Sequence, residues 1–383
     1  MTQKNPCQEY FGKEHNLFRK TLREFVKKEI APYIAEWEEA CEFPRELYGK
    51  MAALGYLGIG YPEEVGGTPG DIFLKVAYTE EMMRSGSGGL VAGIGSLDIA
   101  LPPIVRRGTP EQIERFVKPV LAGERIAALG ITEPGGGSDV ANIQTTAVKD
   151  GDAYIVNGSK TFITSGVRAD QLTTAVRTGG EGYGGISFLI IESDSPGYAV
   201  GKKLTKTGWW VSDTAEIFFD NCRVPAENLI GNENEGFYMI MENFQSERLA
   251  ICIMANMTAW LALSEAMKYI KERSAFGRKL AGFQVTRHKI AEMATLVEAS
   301  REFTYRVAAR MDAGIDQVKE VSMAKNFATS VSDRVTYDAV QLFGGYGFTR
   351  EYLVERLYRD NRILSIGGGT TEIMNEVISK MVL

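Results

Sequence analysis

The apolar residues of this chain change their repeat twice, near residue 125 and again near 231, and that double switch restricts the architectures open to it. Before the first switch the spacing is helical, with Leu17, Leu22, Phe25, Val26 and Ile30 recurring every three or four positions. Pro44 followed by ELYGKMAALGYLG predicts a fresh helix ended by glycines, and a further helical stretch surrounds Ile72 to Met83. Thr109-Pro110-Glu111-Gln112 supplies an N-cap, a first-turn proline and a polar side chain behind them. From about 125 to 230 the pattern shortens to alternation and brief apolar runs, in AYIVNGSKTFITSG, QLTTAVRT, GISFLIIES and DTAEIFFDNCRVP, with turn signals at Asp150-Gly151 and Asn157-Gly158. No strand-then-helix repeat accompanies them, so an antiparallel barrel or sandwich is expected and a parallel dinucleotide-binding sheet is not. After Gly231 the helical period returns. Asn232 and Glu235 predict a capping box, Phe237, Ile240, Met241, Phe244, Ile251 and Ala255 mark one face, and further helices fit 284–312, 317–343 and 350–360. The reading is an α+β multidomain chain: an N-terminal α-helical domain over 1–124, a middle antiparallel β domain over 125–231 and a C-terminal helical bundle over 232–383.

Composition removes several function classes. The 383 residues carry 43 Lys+Arg against 49 Asp+Glu, a net charge of -6, which argues against nucleic-acid binding through a basic surface. Cys7, Cys41, Cys222 and Cys252 are widely separated, with only His15 and His288 to join them, so neither a zinc site nor a disulfide framework is expected. The most apolar stretch, Leu249 to Leu263, is too short to span a bilayer, and the charged first twenty residues lack a signal core. A soluble protein of a reducing, cytoplasmic compartment is the expectation. Trp209-Trp210 and Met82-Met83 read as packing, His288 as an exposed helix residue, and Pro102-Pro103 as a helix break.

Three segments have the composition of a ligand site. In Gly130-Ile131-Thr132-Glu133-Pro134-Gly135-Gly136-Gly137-Ser138-Asp139, consecutive glycines let backbone N–H groups approach an anion or a flat ring, although the segment lacks the Walker lysine and GxGxxG spacing. Arg273-Ser274-Ala275-Phe276-Gly277 with Gln284, and Gln341-Leu342-Phe343-Gly344-Gly345-Tyr346-Gly347-Phe348 with Arg356 and Asp360, offer an arginine for phosphate, aromatics for stacking and open backbone amides. Each glycine cluster taken alone reads as a loop or a helix C-cap.

Together these segments resemble the acyl-CoA dehydrogenase family of flavoproteins. GITEPGGGSD matches the family's first signature except at its last position, where Asn142 replaces a small residue, and QLFGGYGF…E…R…D matches the second throughout. NGSKTFITSG, SDTAEIFFDNCRVP, RSAFGRKLAGFQ and GGTTE follow in the expected order, so the resemblance covers nearly the whole chain. It implies a C-terminal four-helix bundle, with FAD held between the β domain and the C-terminal helices. Ile131, Thr132, Phe162 and Thr164 match positions bordering the isoalloxazine. Arg273, Phe276 and Gln284 match residues that reach the ADP half of a neighbouring subunit's FAD, with Gln341, Gly344 and Gly345 as the other wall. Thr370 and Glu372 match polar residues near the cofactor, and Ser138 a position that meets the substrate's pantetheine or nucleotide end. The resemblance further implies a homotetramer built as a dimer of dimers, and electron transfer flavoprotein as acceptor.

Dehydrogenation of an acyl thioester needs a base for the α proton while hydride leaves Cβ for flavin N5. Many family members place that glutamate directly before the Gly-Thr of the C-terminal motif; here the position is Gly368, in Ile366-Gly367-Gly368-Gly369-Thr370. Either the activity is lost or the base lies elsewhere. A helical wheel puts Glu247 near Ile240, Ile251 and Met254 at the edge of the apolar face, where burial raises a carboxyl pKa and Arg248 opposes the shift; a structural Glu247–Arg248 ion pair is the plain alternative. Ser246-Glu247-Arg248-Leu249 resembles the isovaleryl- and long-chain-acyl-CoA dehydrogenase branches, whose base sits on this helix. On that resemblance Glu247 is the base, and Arg248 helps hold the CoA portion. The expected reaction converts a saturated acyl-CoA to trans-2-enoyl-CoA. Gly367 and Gly368 leave room for a methyl branch at Cβ or a bulky chain, without distinguishing branched from medium or long acyl groups. The alternatives are an acyl-CoA oxidase and a catalytically silent acyl-CoA-binding relative.

Overall fold

The computed structural model describes residues 10–383, so Cys7 lies outside the described residues. Helices form the N-terminal part up to Leu121, eight strands the middle, and helices again the remainder from Gly236. The first helix, Lys13–Phe25, is continued by a π-helical turn, Val26–Ile30, and together they bury Leu22, Val26 and Ile30. Leu17 departs from the expected face: it is 65% exposed, because the buried stripe follows positions 22, 26 and 30 and leaves Leu17 to one side. Ile72–Met83 is a helix with Asp71 as its N-cap, and Thr109 with Gln112 forms a reciprocal capping box. Pro102-Pro103 opens a helix, Pro102–Arg107, where a missing first-turn N–H is tolerated.

The strands are β1 (Ala127–Gly130), β2 (Thr146–Asp150), β3 (Ala153–Thr164), β4 (Gln171–Arg177), β5 (Ile186–Glu192), β6 (Tyr198–Lys203), β7 (Thr214–Pro225) and β8 (Leu229–Ile230). They pair in the order β6-β7-β3-β2-β4-β5-β8, with β1 also on β4. Most pairs are antiparallel; β1 with β4 and the single β2–β4 bridge are parallel. Alternation of apolar residues reports which face is buried and not the direction of the neighbouring strand, so these two pairings carry no sequence signal. Asp150-Gly151 makes the β2–β3 hairpin, but Asn157-Gly158 lies inside β3 at a register shift. A Cβ on Gly158 would lie 2.6 Å from Thr145 Oγ1, so close approach of a second chain segment, not a turn, requires the glycine.

The helix expected at Asn232 begins at Gly236. The Asn232 and Glu235 side chains do meet at 3.2 Å, but the intervening Asn234 is left-handed (φ 69°) and its N–H donates to Ser187 Oγ on β5 at 2.7 Å. That tertiary anchor holds the segment as a turn. From Gly236 one helix runs to Glu272, packed on Gln284–Asp312 and Val318–Phe343, with Leu353–Asn361 and Thr371–Val382 flanking the last of these. It is the one described helix long and apolar enough to cross a membrane, and 78% of its apolar window is buried by the rest of the protein.

Buried polar contacts stitch the three parts together. Ser96 Oγ donates to the Ala127 carbonyl and Thr173 Oγ1 to that of Ala100, joining helices to sheet. Asn243 Nδ2 donates to the Ile99 carbonyl at 3.0 Å, joining the long helix to the N-terminal part. The Trp209 N–H donates to Asp360 Oδ1 at 2.6 Å, while Arg359 pairs with Glu38 and lies under the Trp210 ring.

Candidate active site

The loop after β1 is held by a buried ion pair. Lys160 Nζ on β3 reaches Glu133 Oε1 at 2.7 Å and the Ile131 carbonyl at 3.2 Å, and Glu133 also accepts the N–H groups of Gln144 and Thr145. Burial pushes the Lys160 pKa down to about 8; burial also works against the ionised Glu133, but Lys160 and the two amides leave its pKa below the ordinary value. This pair carries the backbone of Ile131 and Thr132 beside Thr161, whose N–H donates to the Thr132 carbonyl. Neither Glu133 nor Lys160 was among the expected site residues; the signal available was two opposite charges inside otherwise apolar strand and loop patterns.

Along β3 the register shifts again between Lys160 and Ile163, and Phe162 sits there at φ 58° with 68% of its surface exposed. A bulge that turns a large ring outward forfeits apolar burial unless a ligand covers it. Ile131, Thr132 and Thr164 are half-buried nearby in the chain trace. Ser138 is exposed on the glycine turn, which closes through reciprocal Glu133–Gly136 backbone bonds.

At the far end of the helical domain a groove of about 490 Å³ is lined by Arg273, Gln341, Gly344, Gly345 and Tyr346, among others. This brings one expected arginine to the expected diglycine. Nothing lies within 4 Å of where a Cβ of Gly344 or Gly345 would be, so their backbone is open to a ligand. Phe276 is 95% exposed at the tip of the Ser274–Lys279 hairpin, and Gln284 is exposed at the start of the next helix. In one chain this groove and the Phe162 face are built from different parts of the fold, the C-terminal helices and the β strands. Thr370 caps the helix Thr371–Val382, accepting the Ile373 N–H, and Glu372 is exposed in its first turn.

The third locus surrounds Glu247. A Cβ built on Gly368 would lie 3.6 Å from Glu247 Oε1 and 2.5 Å from Ile251 Cδ1, so the helix carboxylate occupies the space that a side chain at position 368 would enter. Gly368 (φ 63°) and Gly369 (φ 94°) are both left-handed, while a Cβ on Gly367 would lie 3.6 Å from the Ile363 carbonyl oxygen, an ordinary contact. Burial raises the Glu247 pKa above the ordinary carboxylate value, with Arg248 and Lys325 pulling it back. The Glu247–Arg248 ion pair does not form among the described residues. Arg248 is buried and turns instead to Ser322 Oγ (3.4 Å), its guanidinium over the Phe244 ring. Successive helix positions diverge by about 100°, which separates the two charges. A desolvated carboxyl that forms no ion pair among the described residues is equipped to take up a proton.

The residues fit FAD: an exposed ring on a bulge, open diglycine amides and an arginine are what an isoalloxazine and a pyrophosphate need. Comparison with known proteins agrees. The chain matches the acyl-CoA dehydrogenase N-terminal domain model over residues 12–124, the middle domain model over 128–222 and the C-terminal domain model over 234–383. It is 39% identical over 376 residues to the mitochondrial long-chain specific acyl-CoA dehydrogenase of Sus scrofa, covering 97% of this chain and 87% of that one. Identity to a caffeyl-CoA reductase-Etf complex subunit of Acetobacterium woodii is 39% over 382 residues, covering 98% and 99%. The acyl-CoA dehydrogenase structure from Geobacillus kaustophilus superposes with a TM-score of 0.95 at 42% identity, covering 97% and 99%. With the fold, the signatures and full-length relatives in agreement, the chain belongs to the acyl-CoA dehydrogenase family.

Proposed function

We propose that this FAD-dependent family member oxidises a saturated acyl-CoA at Cα–Cβ with Glu247 as the base. The observation that carries this reading is the Glu247 carboxyl 3.6 Å from the Cβ position of Gly368, in the place where many relatives carry their glutamate. FAD, when bound, supplies the hydride acceptor. Glu247 takes the α proton at a carboxylate oxygen, and its desolvation raises its affinity for that proton. The glycine turn retains its backbone N–H groups, and a donor aimed at the thioester oxygen stabilises the charge that develops as the proton leaves. Arg248, which stiffens the helix through Ser322, is the proposed contact for the CoA portion, as is Ser138.

Glu247→Gln is expected to retain FAD and fold but to lose acyl-CoA-dependent flavin bleaching by roughly 10²-fold or more. Undiminished bleaching would refute the assignment. A catalytically silent protein would bind thioester with no bleaching in the wild type, and an oxidase would yield peroxide at the rate of substrate loss. Gly367, whose Cβ position makes only an ordinary contact with the Ile363 carbonyl, favours acyl groups with bulk near the reacting carbons; Gly368 adds no such room, because Ile251 and Glu247 fill the space beside it. Comparing straight-chain and 3-methyl thioesters of equal length tests that preference. Electron transfer flavoprotein is the proposed acceptor, in keeping with the Etf-complex relative. The exposed Phe276 and Phe348 (95% and 87%) beside an open groove support a second copy closing the nucleotide site, and a tetramer by light scattering is the expected state.

A further inference from the structure

We propose that Lys325 is a positioning residue for proton abstraction, its ammonium anchoring the Gly369 carbonyl and so holding the glycine turn opposite Glu247. The inference deepens the reading of Glu247 as base and rests on it. Lys325 lies within the helix Val318–Phe343 and is completely buried, a costly location for an ammonium unless something requires it. No carboxylate lies within ion-pairing distance of it among the described residues; its Nζ donates to the backbone carbonyl of Gly369. That carbonyl belongs to the stretch Gly367–Gly369, where three residues without side chains give the backbone the greatest freedom to move. Upstream, the Gly367 N–H is tied to the Ile363 carbonyl at 2.8 Å, and downstream Thr370 caps the next helix. Gly368 lies between these ties with its backbone left-handed, and the Lys325 bond clamps the segment immediately after it.

The same ammonium acts through its charge. The groups facing it are Cys252, Arg248 and Glu247 from the long helix and the glycine turn itself. Burial lowers its pKa to about 8, Cys252 and Glu247 oppose that shift, and Arg248 adds to it, so Lys325 is charged at neutral pH and below. Its charge and that of Arg248 restrain the proton affinity that burial gives Glu247. A structural lysine that filled space alone would do neither.

Two variants of the FAD-loaded enzyme separate the roles. Lys325→Met removes charge and donor; Lys325→Gln removes the charge and keeps an N–H for Gly369. In both, the acid limb of the kcat/KM profile is expected to move to higher pH by roughly one unit, the order of one nearby opposite charge. In Lys325→Met, kcat on the plateau is expected to fall about tenfold more than in Lys325→Gln, with KM for the acyl-CoA changed far less. Superimposable profiles for wild type and Lys325→Met overturn the proposal. If Lys325→Met fails to fold or to hold FAD, Lys325→Gln decides by the same limb: a shift supports, no shift overturns. Glu247→Gln, run beside them, separates the two readings. If it bleaches normally, the base assignment fails; if it is inactive while the Lys325 variants keep the wild-type limb, only the inference about Lys325 fails.

Discussion

Gly368→Ala tests the geometry of the glycine turn most directly, because two separate costs are visible at that position. At φ 63° a Cβ meets its own backbone, at a cost of about 1–2 kcal/mol for a non-glycine residue. The same Cβ lies 2.5 Å from Ile251 Cδ1, and overpacking of this kind costs about 1–3 kcal/mol, near the lower figure here because the contact is the end of a flexible side chain. The variant is therefore expected to lose about 2–3 kcal/mol, read by urea unfolding followed by circular dichroism. Ile251→Val deletes the offending Cδ1 and alone costs about 1 kcal/mol. Combined with Gly368→Ala it relieves the clash and leaves only the backbone term, so the double variant is expected to be about 1 kcal/mol or more stabler than the sum of the singles. Strict additivity refutes the packing described here, and a single variant as stable as wild type refutes the backbone conformation as well.

Other perturbations reach the remaining parts. Lys160→Met leaves Glu133 buried beside two amides without its cation and is expected to destabilise by about 3–5 kcal/mol in the same unfolding assay, with Lys160→Met/Glu133→Gln costing less than the sum of the single changes. Arg273→Ala is expected to weaken FAD retention about tenfold or more, measured by flavin fluorescence on dilution, through loss of one charge-assisted contact in the diglycine groove. Asp360 is held above the ordinary carboxyl range, at about 7, by burial and by Glu38, against Arg359. Its folded form therefore binds more protons than the unfolded form between about pH 4 and 7, and its contribution to stability declines as pH rises through that window. Asp360→Asn keeps an acceptor for the Trp209 N–H, so the stability of wild type relative to this variant is expected to fall from pH 4 to 7; a flat difference contradicts the assignment.

Much of the architecture was legible because burial writes a period into the sequence. Ile72–Met83 and the Thr109 capping box follow local rules, and the strands β3, β4, β5 and β7 follow from apolar runs bounded by turn residues. Where the reading slipped, a long-range contact outweighed a local one: Ser187 holds Asn234 and delays the long helix, and Thr145 crowds Gly158 into a bulge. Met241, placed on the apolar face by the wheel, is 38% exposed, since the early turns of that helix bury only one side. The closing helix Thr371–Val382 was missed although Thr370 announces it as an N-cap. Within the candidate site, the proposed base Glu247 was visible through the combined pattern of helix edge and missing glutamate. Lys325 was not, because a lysine in a helical pattern reads as solvated unless its environment is known, and periodicity carries no record of a carbonyl arriving from 44 residues further on.

On the proposed reading, mounting the acid on the long helix gives the glycine turn and the proton acceptor separate foundations. The rod is packed along most of its length, whereas the bend of three glycines is held by its end ties and the Lys325 bond. A disturbance of that bend would therefore alter the floor beneath the acyl chain without shifting the helix that carries the proton acceptor.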